Sequence, residues 1–164
     1  MRFVQRWNAT VRSGLLLPML VLGCSLDLNT AAPQAAEAVE AAFPNARLVK
    51  ASSELEGGLR VYEATLTEDG RTTDVLLTAE GTIIEVETEV DLTDLPSTAA
   101  ERLRTIVGDG KMTKLEKVEV RARVETGSVV PLDPPSIFYE VKYWRGGLPG
   151  EKKVGADGGD VGDD

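Results

Sequence analysis

The sequence has no histidine and a single cysteine, Cys24, and aromatic residues make up only 5% of its 164 residues. Without histidine, the chain cannot form a Ser-His-Asp or a Cys-His catalytic site, and it lacks the most common ligand of catalytic zinc. With one cysteine, no intramolecular disulfide is possible. Any enzymatic activity would therefore have to rest on carboxylate groups.

No hydrophobic run is long enough to cross a bilayer, which takes about 20 apolar residues. The N-terminal apolar stretch, residues 14–22, follows a basic segment that contains Arg2, Arg6 and Arg12. A basic segment followed by a short apolar one is typical of an export signal. We therefore expect residues 1–23 to be a signal peptide.

The only cysteine ends this apolar stretch, in the sequence VLGC at residues 21–24. The sequence resembles the lipobox of bacterial lipoproteins, which implies cleavage before Cys24 and acylation of its thiol. Leu22 departs from that pattern, because a smaller residue is usual at its position. The alternative is an ordinary secretory signal that is cut near Ser25, with Cys24 incidental.

Acidic residues outnumber basic ones, and the net charge is −9. Removal of residues 1–23 would delete three arginines and no acid, which lowers the charge to −12. Such a surface repels nucleic acid and anionic headgroups. We therefore expect no nucleic-acid partner, and membrane attachment only through an N-terminal lipid.

After Cys24 the chain alternates between helical and strand patterns. Residues 24–33 contain a proline and no clear period, which indicates a tether. Residues 34–91 contain apolar residues at helical spacing and then four strand-like segments, and residues 92–161 restart with a second helical pattern. Residues 162–164 form an acidic tail. Asp69-Gly70 and Glu80-Gly81 are typical of hairpin turns.

Segments of the two halves of the sequence align with each other without a gap. With a shift of 77 residues, Tyr62 aligns with Tyr139, Glu63 with Glu140 and Gly70 with Gly147. We therefore predict an α+β fold of two tandem repeats, each with one helix followed by a four-stranded antiparallel meander, and the helices on one face of the sheet. The repeated tyrosines are expected to pack under the helices.

This order of motifs resembles the PepSY-like family, also described as similar to β-lactamase inhibitory protein. The resemblance rests on the segments AAFPNARLVKASSE, VYEATLTEDGRTTDVLLTAEGTIIE, DLTDLP, FYEVKY and GADGG. It implies an exported bacterial protein with an α+β fold and a binding or inhibitory role rather than catalysis. No inhibitory contact is carried over, because no motif here aligns with one.

The acidic residues predict no site of their own. Glu63 with Glu85, or Glu87 with Glu89, could serve as an acid and a base, but they occupy the polar positions of alternating strands, which are typically solvated. The spacing of the C-terminal aspartates, from Asp157 to Asp164, does not match a calcium-binding loop and favours a disordered tail. We therefore expect no catalytic residue, metal or cofactor.

Four of the aromatic residues lie between Phe138 and Trp144, and alternation places two of them on the face opposite to Tyr139. This face can bind a partner, or the segment GSVVPLDPP can fold back over Phe138 and Trp144 to form a second small core. The predicted partner-binding residues are Phe138, Glu140, Lys142 and Trp144, with Val129, Val130 and Leu132 in a loop at the rim.

Taken together, these patterns predict a lipoprotein of the bacterial envelope, facing the periplasm from the outer membrane, that binds or inhibits a protein or peptide. The alternatives are a structural envelope protein without a dedicated ligand and, less favoured, an enzyme that uses carboxylates alone.

Overall fold

Tight turns divide the chain into strands that pair with their immediate neighbours. The two predicted hairpin glycines, Gly70 and Gly81, have φ angles of 81° and 86°, which only glycine adopts without strain. In the computed structural model, which describes residues 26–162, every strand pairs antiparallel with the next along the chain. The result is one seven-stranded sheet in the order β1 to β7.

The strands are β1 (Arg47–Glu56), β2 (Leu59–Glu68), β3 (Arg71–Thr78), β4 (Ile83–Glu89), β5 (Lys111–Glu125), β6 (Ser128–Arg145) and β7 (Leu148–Gly155). The helices are α1 (Leu28–Ala31), α2 (Pro33–Ala42) and α3 (Ser97–Val107), and a short 3-10 helix (Leu92–Asp94) precedes α3. No helix among the described residues has both the length and the apolar character required to span a membrane.

The predicted pair of helix-plus-four-strand repeats is wrong. The strands within residues 26–162 form a single sheet. The second half of the sequence contributes three of them, because the glycine-rich segment after β7 makes a turn and only one isolated bridge, Val154 with Asp160. Two helices rather than one precede β1. The predicted rim loop that contains Val129, Val130 and Leu132 is instead part of β6: residues 129–131 pair with β5, and residues 132–135 lie unpaired where the register shifts between Val120 and Ala122.

Helices cover one face of the sheet, which we call the helix face. Under α1 and α2, Leu28 and Val39 pack in a cluster that includes Tyr62 and Leu66. Under α3, Leu103 packs in a second cluster that also contains the following buried residues: Tyr139, Val141, Tyr143 and Val154. The prediction that both repeated tyrosines lie under helices is confirmed.

The opposite face, which we call the helix-free face, is partly closed by the far end of the β5–β6 hairpin. Residues 121–125 of β5 extend past the last residue that pairs with β4, and an added Cβ on Gly57, in the β1–β2 turn, would lie 3.0 Å from Cγ1 of Val124. The hairpin therefore curls back towards β1 and β2. Five buried apolar residues belong to neither helix-packed cluster: Val61, Ile84, Val118, Ala122 and Phe138.

Within residues 26–162, the segments at both ends are more structured than their composition predicts. In the segment that was expected to be a tether, Leu28 is buried and the backbone N–H of Leu26 donates to the carbonyl of Ala51. In the segment that was expected to be disordered, Asp160 forms an ion pair with Arg102 at 2.9 Å. The signal peptide, Cys24 and the last two aspartates lie outside the described residues.

Candidate functional site

Charged side chains occupy the centre of the helix-free face. Because paired residues of neighbouring strands point to the same side of a sheet, the pairs Asp74 with Glu87 and Glu116 with Glu140 lie on one face. We call the following group the ionic cluster: Asp74, Glu85, Glu87, Lys114, Glu116, Glu140, Lys142 and Lys153. Its members come from all five strands from β3 to β7.

Two carboxylates in this cluster are buried. The side chain of Glu116 is 2% exposed and that of Glu140 is 7% exposed. Lys114 Nζ lies 2.6 Å from Glu116 Oε1 and 3.5 Å from Asp74 Oδ2. A buried carboxylate of this kind is tolerated only when cations or hydrogen-bond donors compensate for its lost hydration.

Lys142 and Lys153 provide the remaining positive charge. Lys142 Nζ lies 3.1 Å from Glu140 Oε1 and 3.6 Å from Glu116 Oε2, while Lys153 Nζ lies 3.6 Å from Glu140 Oε2. Burial lowers the pKa of Lys142, but the charge of Glu140 and a hydrogen bond to it outweigh that effect, so the pKa lies above its ordinary value. Lys142 therefore stays charged and bridges Glu140 on its own strand and Glu116 on the neighbouring strand.

Three partly buried acids of the helix-free face, Glu87 and Glu85 of β4 and Glu63 of β2, have raised pKa values. Burial, followed by the charges of Glu116 and Glu85, raises the pKa of Glu87 to about 8. Burial also raises the pKa of Glu85, against the effect of a hydrogen bond with Glu87. Burial and then the charge of Asp74 raise the pKa of Glu63. The prediction that these acids lie on a solvated face is wrong, because all three are partly buried.

The predicted aromatic face has the expected orientation but not the expected exposure. Phe138, Glu140, Lys142 and Trp144 all point away from the helices. Phe138 is only 9% exposed, with Lys153 Nζ 5.5 Å from its ring centroid, and Glu140 is buried in the ionic cluster. Trp144 is 50% exposed and lies opposite Lys111 and Pro149 on the neighbouring strands.

The predicted rim residues lie on the curled hairpin rather than in a loop. Val130 is exposed, and Val129 and Leu132 are partly buried. They belong to the end of β6 remote from Trp144, so the structure does not bring the two predicted groups together. The sequence left two alternatives, an open binding face or a face covered by the chain itself. Each describes one end of this face: Phe138 is covered and Trp144 is open to solvent.

Sequence reasoning missed Asp74, Lys114, Glu116 and Lys153, which complete the cluster. One signal was present for Glu116: it is in phase with Val118 and Val120 along β5, so an acid stands on the same side of the strand as two apolar residues. The other three could not be found without the pairing of the strands from β3 to β7, since each looks like an ordinary exposed residue of an alternating strand.

Two depressions mark the surface of the described residues. The larger, of about 410 Å³, lies beside the β2–β3 turn and is lined by Glu68, Asp69, Arg71, Thr73 and Thr88. The smaller, of about 150 Å³, lies against Phe138 and Lys153. No acidic residue of the ionic cluster lines either depression.

Comparisons with solved structures identify the fold. The chain is similar to a BLIP-like protein from Bacteroides fragilis, with 19% identity and a TM-score of 0.55 over 79% of this chain and 82% of the other. It is also similar to a DUF2874 family protein from Bacteroides ovatus, with 13% identity and a TM-score of 0.56 over 79% of this chain and 83% of the other.

A third similar structure is a Bacteroides eggerthii protein named for a suspected periplasmic location, with 12% identity and a TM-score of 0.60 over 85% of this chain and 87% of the other. No protein-family model matches the sequence, and no curated protein is significantly similar to it. At these identities the likeness establishes the fold alone. The predicted likeness to β-lactamase inhibitory protein is therefore confirmed at the level of the fold.

Proposed function

We propose that this chain is a non-catalytic protein of the bacterial envelope that binds a protein or peptide partner at the Trp144 end of its helix-free face. A lipid on Cys24 holds it at the outer membrane, facing the periplasm. The observation that carries the proposal is the exposure of Trp144, since half of this large side chain meets solvent although β6 is paired on both sides.

The surroundings of Trp144 suit a protein contact. Lys111 and Pro149 flank it on the neighbouring strands, and we call these three residues the Trp144 patch. Leu148, the first residue of β7 and next to Pro149, is 71% exposed. Tryptophan is among the residues that contribute most to protein interfaces, and its position on a paired strand means that little ordering is needed on binding.

The ionic cluster supports a binding role rather than catalysis. Its buried acids are held in ion pairs with three lysines, whereas a catalytic acid and base must face a substrate. The chain also has no histidine to move protons near neutral pH. The cluster is better suited to keep the face rigid beside the Trp144 patch.

The similar structures agree with this proposal. One is BLIP-like and another is named for a suspected periplasmic location, which fits the export signal that we predict at residues 1–23. A structural role without a ligand is the second candidate. It is favoured by one observation: the end of the face around Phe138 is already closed by the chain itself.

Site-specific photo-cross-linking distinguishes the two candidates. A photoreactive amino acid replaces Trp144 in one variant and Glu101, an exposed residue of α3 on the other side of the sheet, in a matched control. Irradiation of intact cells should give a discrete adduct from position 144 and none from position 101. Absence of an adduct from both positions, or the same adducts from both, would contradict a binding site at the Trp144 patch.

A further inference from the structure

Three carboxylates from three neighbouring strands converge inside the ionic cluster. Asp74 of β3, Glu87 of β4 and Glu116 of β5 each place one oxygen so that the three atoms lie within 4.8 Å of one another. Ligands on opposite sides of a calcium ion are about 4.6–5.2 Å apart, because each bond is about 2.3–2.6 Å long. Since 4.8 Å does not exceed this span, the three oxygens are close enough to bind one such ion together.

Glu116 gives a separate reason to expect a ligand. Its side chain is 2% exposed, and its Oε2 atom is buried without any hydrogen bond. The ion-pairing group on that oxygen is Lys142 Nζ at 3.6 Å, which is longer than a hydrogen bond. A buried carboxylate oxygen left without a hydrogen bond is costly, and a cation bound to it would remove that cost.

We propose that Asp74, Glu87 and Glu116 form a binding site for a hard divalent cation of the calcium class. The three donors are all carboxylate oxygens, which calcium and magnesium prefer, whereas zinc sites usually include nitrogen or sulfur. Calcium accepts six to eight oxygens in flexible geometry, so second carboxylate oxygens and water can complete its shell. Magnesium needs shorter, near-ideal octahedral bonds and usually keeps several waters with only one or two carboxylates, so three carboxylates suit it less well.

Lys114 competes for the same position. Its ammonium lies 2.6 Å from Glu116 Oε1 and 3.5 Å from Asp74 Oδ2, so it contacts two of the three ligands. The side chain of Lys114 is 32% exposed, which allows the ammonium to move out to solvent when a metal ion enters. Removal of Lys114 should therefore tighten metal binding, which would not follow if calcium bound loosely to exposed acids elsewhere.

Calorimetric titration of the full-length protein in detergent with calcium chloride, after treatment with EDTA, tests the site. Relative to the parent protein, Lys114→Met should bind calcium at least about tenfold more tightly, a change of about 1.4 kcal/mol. Glu116→Gln should bind at least about tenfold more weakly. Glu151→Gln, which removes an exposed acid outside the cluster, should bind like the parent.

Thermal unfolding provides a second readout that does not depend on heats of binding. In EDTA, Lys114→Met should melt below the parent protein, because Glu116 loses its closest ion pair, and calcium should restore the melting temperature. Lys114→Gln, which can still donate a hydrogen bond to Glu116, replaces it if the methionine variant does not fold.

Three results would overturn the proposal: no saturable binding by either the parent or the Lys114 variant, equal affinity of Glu116→Gln and the parent, or binding of magnesium as tightly as calcium. The first would mean that lysines alone neutralise the cluster. The second would place any bound calcium on surface acids, and the third would exclude a site of calcium-type geometry.

Discussion

At the scale of single residues, the fold depends on aromatic side chains that lie between sheet and helices. Tyr62 and Tyr139 are both buried, one beneath α2 and the other beneath α3. Truncation of either to alanine should lower the free energy of unfolding by about 3–5 kcal/mol, because the change removes a large buried ring and leaves a cavity. Chemical denaturation of the two variants measures this loss. Values near zero for both would mean that the faces of the sheet are assigned the wrong way round.

A second prediction at this scale concerns Glu87. Its pKa is about 8 in the folded protein, above the ordinary value of 4.5, so the folded state binds the proton more tightly than the unfolded state does. The contribution of this proton to stability is full below about pH 4.5 and is lost as the pH rises towards 8. The free energy of unfolding, measured in EDTA, should therefore fall over this interval.

Glu87→Gln removes the group that titrates and provides the test. It should match the parent near pH 4.5 and exceed its stability by about 1–3 kcal/mol at pH 9, since the parent then carries an additional buried charge. Glu151→Gln is the control for a change of charge on the surface. Parallel pH profiles for Glu87→Gln and the parent would show that Glu87 is ionised throughout this range.

At the scale of the elements, the curled end of the β5–β6 hairpin is the feature with the largest consequence. Its approach to the β1–β2 turn predicts a difference between two adjacent glycines, Gly57 and Gly58. Both have positive φ angles, 53° and 87°, so alanine is strained at either. Only at Gly57 would the new Cβ also meet Val124, at 3.0 Å from Cγ1 and 3.2 Å from the carbonyl oxygen.

Gly57→Ala should therefore cost about 1 kcal/mol or more beyond the cost of Gly58→Ala, since it adds overpacking to the same backbone strain. Equilibrium denaturation of the two variants gives the difference directly. If the two substitutions cost the same, the hairpin does not rest against this turn in solution, and the region around Phe138 would be open.

Sequence patterns predicted the elements better than their arrangement. The turn at Gly70 and the burial of Tyr139 could be predicted because they depend on local chemistry: a glycine at a positive φ, and alternation along a strand. The number of strands could not, because it depends on whether the glycine-rich segment after β7 pairs or turns. The burial of Phe138 could not either, because it requires the curvature of a hairpin whose register shifts between Val120 and Ala122.

The same contrast between local pattern and strand arrangement applies to the candidate site. Alternation correctly placed Trp144 and Lys142 on the face away from the helices, and it could not show that Glu140 is buried there. Burial of a charge depends on ion pairs across strands, and these follow from the register of β3 to β7 rather than from any one segment. The two buried acids, Glu116 and Glu140, are adjacent only because β5 and β6 pair in this register.

At the scale of the whole molecule, the proposed location at the outer membrane depends on Cys24. If this cysteine carries the lipid, Cys24→Ser should move the protein from the membrane fraction to the soluble fraction, because a lipid is the only attachment that we propose. Ser25→Ala, a neighbouring change that keeps the cysteine, is the control. Fractionation followed by immunoblotting measures the shift, and a mature N-terminus well downstream of Cys24 would contradict lipid anchoring.

The central claim is that the helix-free face is closed around Phe138 and open at Trp144. The most direct test is quenching of Trp144 fluorescence by iodide in the free protein, with Trp7→Phe as the background so that Trp144 is the only tryptophan. We predict red-shifted emission that iodide quenches readily, and a Trp144→Ala variant with an almost unchanged melting temperature. Blue emission that iodide does not quench, together with a clear loss of stability in Trp144→Ala, would mean that Trp144 is part of the core. The proposed binding site would then lose the residue on which it depends.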